Sequence, residues 1–487
     1  MLFRSTRSEA EPVVAERALL SGLAPDGGLY VPVAYPSLDP TLMIGGDLSY
    51  PEIAYRVIRP YFDSLPEAAL REAVEAAAAR FDDARVAPLV CAGELRILEL
   101  FHGPTLAFKD LALTLFGSLL SMARELVGMK EELLVIVATS GDTGSAALEG
   151  LEGVPGVRVV VLYPAIGVSQ VQRLQMTTHD AKNSLVLGVR GNFDDAQRVA
   201  KHLLSDPDAR RRFALRGVSP GSANSINVGR LIPQVAYYVA AWRGLRDAGG
   251  LGWQGAFDAV VPSGNFGNVL AARYAKYMGL PLGDFLVATN KNRVLADFLD
   301  SGTYDRNRPF HVTSSPSMDI LVSSNLERLV FEATGRDTMR SSALMASLAG
   351  SGRYELGQKE REAFRDFRGA SSDEAETAAE IRRVFDESGY LLDPHTATAV
   401  AALRRSGRAG PAIVTATASP FKFATTVASA LGIETGKDEF LTLERLAEKA
   451  RLPYPRQLLG LSEKPERHTR ILDTVDIPDV IDDWLRG

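Results

Sequence analysis

The sequence holds a single cysteine, Cys91, among 487 residues, so neither a disulfide framework nor a cysteine-based zinc cluster can hold it together. Its histidines, at positions 102, 179, 202, 311, 395 and 468, are scattered and form no HExxH pair. That leaves no signal for a catalytic metal and turns attention to an organic cofactor. Apolar runs are broken by charge well before the roughly 18 residues a membrane-spanning helix needs. The opening MLFRSTRSEAEPVV reaches Glu9 and Glu11 before any apolar stretch, which provides no signal-peptide core. A cytoplasmic protein without membrane partners is expected. Positive charge is also short, with 54 Lys and Arg against 60 Asp and Glu for a net −6. Nucleic acid is therefore not a general partner, and any anionic substrate must be held by a local cluster. Cys91, flanked by Leu89, Val90 and Ala92, is expected to be a small buried hydrophobe.

What the chain does contain is an alternation of short apolar runs with amphipathic stretches. Leu133 to Ala138 (LLVIVA), Arg158 to Tyr163, Ser184 to Val189, Ala256 to Val261, Phe285 to Thr289 and Pro411 to Ala416 read as strands. Helical patterns such as Asp194 to Leu204 and Val269 to Met278 lie close to them. Continuous apolar strands separated by helices predict an α/β protein with open, doubly wound, mostly parallel sheets. Outside that alternation, residues 1–95 read as an N-terminal lobe, 331–385 as a helical insertion and 441–487 as a C-terminal tail. The α/β core then occupies 96–330, with a smaller lobe at about 110–235, and the chain returns to it over 386–440.

Small and hydroxylated residues gather at the ends of three predicted strands: ATSGDTGSAA (138–147), PSGNFGN (262–268) and TATASP (415–420). Ligands of doubly wound sheets bind outside the carboxyl ends of the strands, so these junctions are expected to converge on one crevice. Gly264 and Gly267 would let backbone approach an anion, while Ser263, Asn265 and Asn268 could add side-chain donors. Neither glycine-rich loop is a Walker loop, since no GK[ST] follows, and neither has the GxGxxG spacing. A fourth element, HGPTLAFKDLAL (102–113), carries Lys109 behind an apolar approach. A lysine held in apolar surroundings loses its proton readily and can form a Schiff base; the bland alternative is a surface lysine at a helix start.

The segments HGPTLAFKDLAL, ATSGDTGSAA, NSINVGR, PSGNFGN and SPSMDILVSSNLERL resemble those of threonine synthases of the longer form. So do STRSEAEPVVAERALLSGLAPDGGLYVP near the start and LDPHTATAVAAL near the end, so the resemblance spans about residues 4 to 423 in order. That family is pyridoxal phosphate (PLP)-dependent, of fold type II, similar to the tryptophan synthase β subunit. The resemblance implies that Lys109 holds PLP and shuttles protons, and that Gly264, Asn265, Phe266, Gly267 and Asn268 hold the cofactor phosphate. Thr417 would face the pyridine nitrogen, and Thr139, Ser140, Asp142 and Thr143 would surround the substrate α-carboxylate. Asn224, Ser225 and Arg230 would bind the substrate phosphate. An ionised Asp142 beside a carboxylate would be repulsive, so it is expected to point away or to be protonated. The implied reaction converts O-phospho-L-homoserine and water to L-threonine and phosphate, a carbon–oxygen lyase reaction, in a monomer or weak homodimer.

Ser419, Phe421, Val228 and Arg293 depart from the family pattern near the presumed crevice, through neutral drift within one enzyme or, as the less favoured alternative, a changed substrate preference. One rival reading is a PLP lyase or dehydratase of the same fold that releases a 2-keto acid and has no need of Arg230. Another is a non-catalytic phosphometabolite-binding protein, in which Lys109 would be dispensable.

Overall fold

In the computed structural model, every residue is described except Gly45, Trp253, Gln254, Ala409 and Gly487, and the apolar runs become the strands of two open sheets. Strands β1 (Leu2–Ser5), β2 (Val13–Val14) and β3 (Tyr30–Pro32) form a small antiparallel sheet near the amino terminus. They are followed by β4 (Leu89–Ala92), β5 (Leu95–Glu99), β6 (Glu132–Ala138), β7 (Val157–Pro164), β8 (Ser184–Val189) and β9 (Val218–Gly221). Next come β10 (Phe257–Pro262), β11 (Leu282–Thr289), β12 (Thr303–Asp305), β13 (Arg353–Glu355), β14 (Phe367–Ser371), β15 (Ala412–Ala416) and β16 (Ile471–Leu472). One large sheet has the order β14-β11-β10-β15-β5-β4, parallel except for the β4–β5 hairpin. The other, β16-β8-β7-β6-β9, is parallel throughout. The doubly wound α/β class expected from the sequence is the one observed.

The strand LLVIVA shows why the sheets need helices on both faces. Leu133, Val135 and Val137 enter a central core, whereas Leu134, Ile136 and Ala138 enter a second core on the opposite face. Strand β10 divides in the same way, with Ala259 and Val261 in the central core and Val260 in a third cluster. Period-two alternation therefore makes one apolar core common to both sheets and gives each sheet a separate core on its far side.

Within the shared core, helix Asp110–Leu126 lies against helix Asp142–Leu151. Their approach depends on glycine: a Cβ at Gly150 would lie 2.1 Å from the Leu113 carbonyl oxygen, and one at Gly117 would lie 2.8 Å from the Gly150 oxygen. This close packing sets the starts of the two helices, and with them Lys109 and Asp142, side by side.

Some segments differ from expectation. Cys91 is exposed, because β4 is an edge strand and its alternation turns Ala92 inward and Cys91 out. The stretch 331–385 is not purely helical, since Phe367–Ser371 pairs with β11 as the edge strand β14. The tail adds β16 beside β8, and its helix Ile477–Trp484 buries Ile477 and Ile481 in the outer core of the five-stranded sheet. Arg293 is on the surface, paired with Asp297, and not in the crevice. Among the described residues no helix is long and apolar enough to cross a membrane.

Gly150→Ala is expected to destabilise the chain by about 2–3 kcal/mol, because the new methyl meets backbone that cannot swing aside. Urea unfolding measures this, and an unchanged midpoint would contradict the packing described.

Candidate active site

Strands β10 and β15 are parallel neighbours, so the junctions after Pro262 and Ala416 leave the sheet at the same edge. Strand β5 pairs on the other side of β15, with Glu99 opposite Ala416, so the segment leading to Lys109 leaves there too. It is stitched to the third junction by Phe108 N–H donating to the Thr417 carbonyl (2.8 Å) and Ser419 N–H donating to the Leu106 carbonyl (3.0 Å). The first junction arrives from the other sheet, where Lys109 Nζ donates to Asp142 Oδ2 at 2.9 Å. Ser317 completes the ring: its Oγ donates to Asp142 Oδ2 (3.1 Å) and lies 3.4 Å from Lys109 Nζ. Its carbonyl oxygen leaves only 2.8 Å for a Cβ at Gly264. All three junctions and Lys109 therefore meet in one place.

Burial lowers the pKa of Lys109, with Asp142 opposing that effect and the positive charges of Lys422 and Arg230 adding to it. Of the two alternatives expected for Asp142, pointing away or being protonated, the geometry speaks against protonation. Asp142 is buried inside the cluster, and its pKa lies well below the usual carboxylate range: desolvation works against the charge, but Lys109 and Lys422 outweigh it. Its Oδ1 pairs with Lys422 Nζ at 2.8 Å and accepts from Gln172 Nε2 at 2.8 Å. Lys422 was not anticipated from the sequence. It is wholly buried, anchored to the Thr105 carbonyl at 2.8 Å, and its only sequence signal is a lysine between Phe421 and Phe423 after an apolar strand. His395 Nε2 accepts the Ser317 N–H (3.2 Å), and its Nδ1 lies 2.8 Å from Asp393. That pattern assigns the Nδ1–H tautomer and fixes the Ser317 backbone.

The PSGNFGN junction opens helix Gly267–Tyr277, whose first turn has no side-chain cap. Among the described residues no protein group accepts from the backbone N–H groups of Gly264 through Val269. Phe266 is held at φ 64°, a conformation costly for a residue with a Cβ and one that persists where surrounding structure enforces it. An uncapped helix start preceded by further free N–H groups suits a phosphate. The side chains behave differently from the backbone. The Phe266 ring packs toward Phe367, and Asn268 Oδ1 accepts from Tyr237 and Tyr238 while its Nδ2 is buried without a partner.

In the first junction Thr139 Oγ1 accepts from Gly141 N–H (2.9 Å) and Gly144 N–H (3.0 Å), so this hydroxyl shapes the loop. The hydroxyls of Ser140 and Thr143 have no protein partner among the described residues and can serve a carboxylate. Thr417 is buried, and its hydroxyl is likewise unengaged.

Helix Val228–Leu231 carries Arg230. Its guanidinium is buried and donates to the Ala223 carbonyl (2.7 Å); among the described residues its Nε is unpartnered and no carboxylate pairs with it, and burial brings its pKa down to about 10 against the pull of Asp110. Ser225 Oγ accepts from Asn325 Nδ2 (3.1 Å), which also donates to the Asn265 carbonyl (3.1 Å), tying this segment to the PSGNFGN loop. Arg328, also unanticipated, anchors Asn325 and spans to the carbonyls of Tyr30 and Ile226. Val228 faces the shared core; Ser419 and Phe421 are buried in the turn that carries Lys422.

The chain as a whole is similar to known proteins. Residues 2–78 fit the family described as threonine synthase N terminus, 94–417 the one described as pyridoxal-phosphate dependent enzyme, and 396–481 the one described as threonine synthase, C-terminal. The threonine synthase of Pseudomonas aeruginosa is 40% identical over 430 residues, covering 87% of this chain and 89% of that protein. The chain belongs to the threonine synthase family. The Saccharomyces cerevisiae threonine synthase is 36% identical over 465 residues, covering 88% of this chain and 89% of its own. The crystal structure of PLP-bound threonine synthase from Brucella melitensis superposes with a TM-score of 0.88 at 37% identity, covering 100% of both chains. The enzyme is thus of fold type II, and its cofactor is pyridoxal phosphate. The free N–H groups of Gly264–Val269 and the depressed pKa of Lys109 fit that group.

Thr139→Ala leaves two buried N–H groups without an acceptor and is expected to cost about 1–3 kcal/mol, whereas Thr139→Ser restores most of the loss. Thermal denaturation of both variants checks this; equal stability would remove Thr139 from the loop's framework.

Proposed function

We propose that the enzyme converts O-phospho-L-homoserine and water to L-threonine and inorganic phosphate. The observation that carries this reading is Arg230, a buried guanidinium that pairs with no carboxylate among the described residues, in the same crevice as a separate array of N–H groups at Gly264–Val269 with no protein acceptor among them. A buried, uncompensated cation is costly unless a ligand supplies the anion. Two anion sites suit a cofactor phosphate and a substrate phosphate together. A dehydratase acting on a hydroxy amino acid would need only the first.

In this reading PLP, when bound, supplies the electron sink that makes protons next to the amino group removable. Ser140 and Thr143 orient the α-carboxylate, with Thr139 holding the loop. Lys109, with its lowered pKa, takes the proton from Cα and then moves protons at Cβ. Arg230, Asn224 and Ser225 hold the γ-phosphate and stabilise charge as the Cγ–O bond breaks, before water adds at Cβ. The ionised Asp142 does not repel the substrate carboxylate, because its charge is already taken by Lys422. Closure of the smaller lobe would exclude stray water. The same reading places the activity in a reducing cytoplasm, supported by one unpaired cysteine in 487 residues.

Supplied with phosphohomoserine, the enzyme is expected to release threonine and phosphate in equal amounts; 2-oxobutanoate as the main organic product would favour the lyase reading instead. Lys109→Ala should be colourless and inactive. Arg230→Met should lower kcat/KM for phosphohomoserine by at least about a hundredfold, as loss of a charge-assisted phosphate contact implies.

A further inference from the structure

We propose that Lys422 is a positioning residue for the reaction: it is the resident counter-cation of Asp142, and by holding that carboxylate's charge it leaves Lys109 free to give up its proton. The inference rests on the reading of Lys109 as the lysine that holds the cofactor. The two lysines use different oxygens of one carboxylate, Lys422 at Oδ1 (2.8 Å) and Lys109 at Oδ2 (2.9 Å). Gln172 and Ser317 fill the remaining positions on Oδ1 and Oδ2. Lys422 comes from the turn Pro420–Phe423 after β15, whereas Asp142 opens a helix after β6, so the pair also bridges the two sheets.

The reason is one of charge balance. A buried carboxylate without a cation is strongly disfavoured, so Asp142 with only one lysine would keep that lysine protonated. With Lys422 in place the Asp142–Lys422 pair is neutral, and Lys109 can become neutral without stranding a charge. The other titratable or charged groups around Lys109 are Arg230, which also disfavours its protonation, and Asp110 on the next position, whose pKa burial raises to about 6 against the hydrogen bonds from Thr105 and the positive charge of Lys422. Lys422 has no surface to serve, since its side chain is 0% exposed. Its remaining partner is the Thr105 carbonyl.

The test uses the full chain stripped of cofactor. The rate of pyridoxal phosphate incorporation is followed by absorbance against pH, and the site is confirmed by borohydride trapping and peptide mass. Lys422→Met is expected to move the midpoint of the pH profile up by about one to two units and to slow incorporation at pH 7 by about ten- to a hundredfold. Lys422→Arg should stay within about threefold of the parent. In an Asp142→Asn background no carboxylate charge is left there for Lys422 to hold, so adding Lys422→Met should slow incorporation by less than about threefold. That doubly neutral variant also keeps the test available if Lys422→Met alone fails to fold. A parental midpoint in Lys422→Met, or an equal loss in both backgrounds, would overturn the proposal. Trapping that persists in Lys109→Ala would instead overturn the reading of Lys109 itself, and the proposal with it.

Discussion

The burial of one carboxylate between two lysines is the constraint on which the rest of the site depends. Asp142 sits at 3% exposure, where an unpaired charge would cost several kcal/mol, and stays ionised because each oxygen faces its own cation. The arrangement requires three segments distant in sequence to arrive together: the turn before helix Asp110–Leu126, the start of helix Asp142–Leu151, and the turn after β15. The sheet topology delivers the first and third along adjacent parallel strands, and glycine-mediated helix packing delivers the second.

Around this cluster the site is built from groups left deliberately without protein partners. Among the described residues the backbone N–H groups of Gly264–Val269 and the hydroxyls of Ser140, Thr143 and Thr417 have no protein partner, and the buried, unpartnered Nε of Arg230 would be a liability in a fold with no ligand. Their concentration at the carboxyl ends of the strands, together with the strained backbone of Leu106 (φ 61°) and Phe266 (φ 64°), marks where stability is given up for binding. The hydrogen bonds from Asn325 to Asn265 and Ser225 show that the two anion sites share one support, so a shift in either is felt by the other.

Much of this was legible in the sequence, for identifiable reasons. Strands such as LLVIVA are apolar on both faces, and only a covered parallel sheet demands that. Glycine at strand ends reflects a backbone requirement that few other residues meet, so the three junctions and the placement of Lys109 among them could be read directly. Side-chain partnerships across the fold could not. Only its flanking Phe421 and Phe423 set Lys422 apart locally from a surface lysine, and the charge state of Asp142 depends on that distant residue. For the same reason the sequence offers the Asn268 side chain as a possible donor to an anion and does not show that its Oδ1 is taken by Tyr237 and Tyr238. The edge strands β14 and β16 were missed because an edge position lacks the apolar signature of a central strand, and Cys91 was misjudged through the same edge effect.

The charge on Asp142 between its two lysines is open to direct measurement. Isotope-edited infrared or carbon-13 spectroscopy of the Asp142 carboxyl in the ligand-free enzyme reports its ionisation. A carboxylate signature is expected throughout pH 5 to about 8, as the Asp142 pKa well below the usual range implies. A protonated Asp142 anywhere in that window would contradict it.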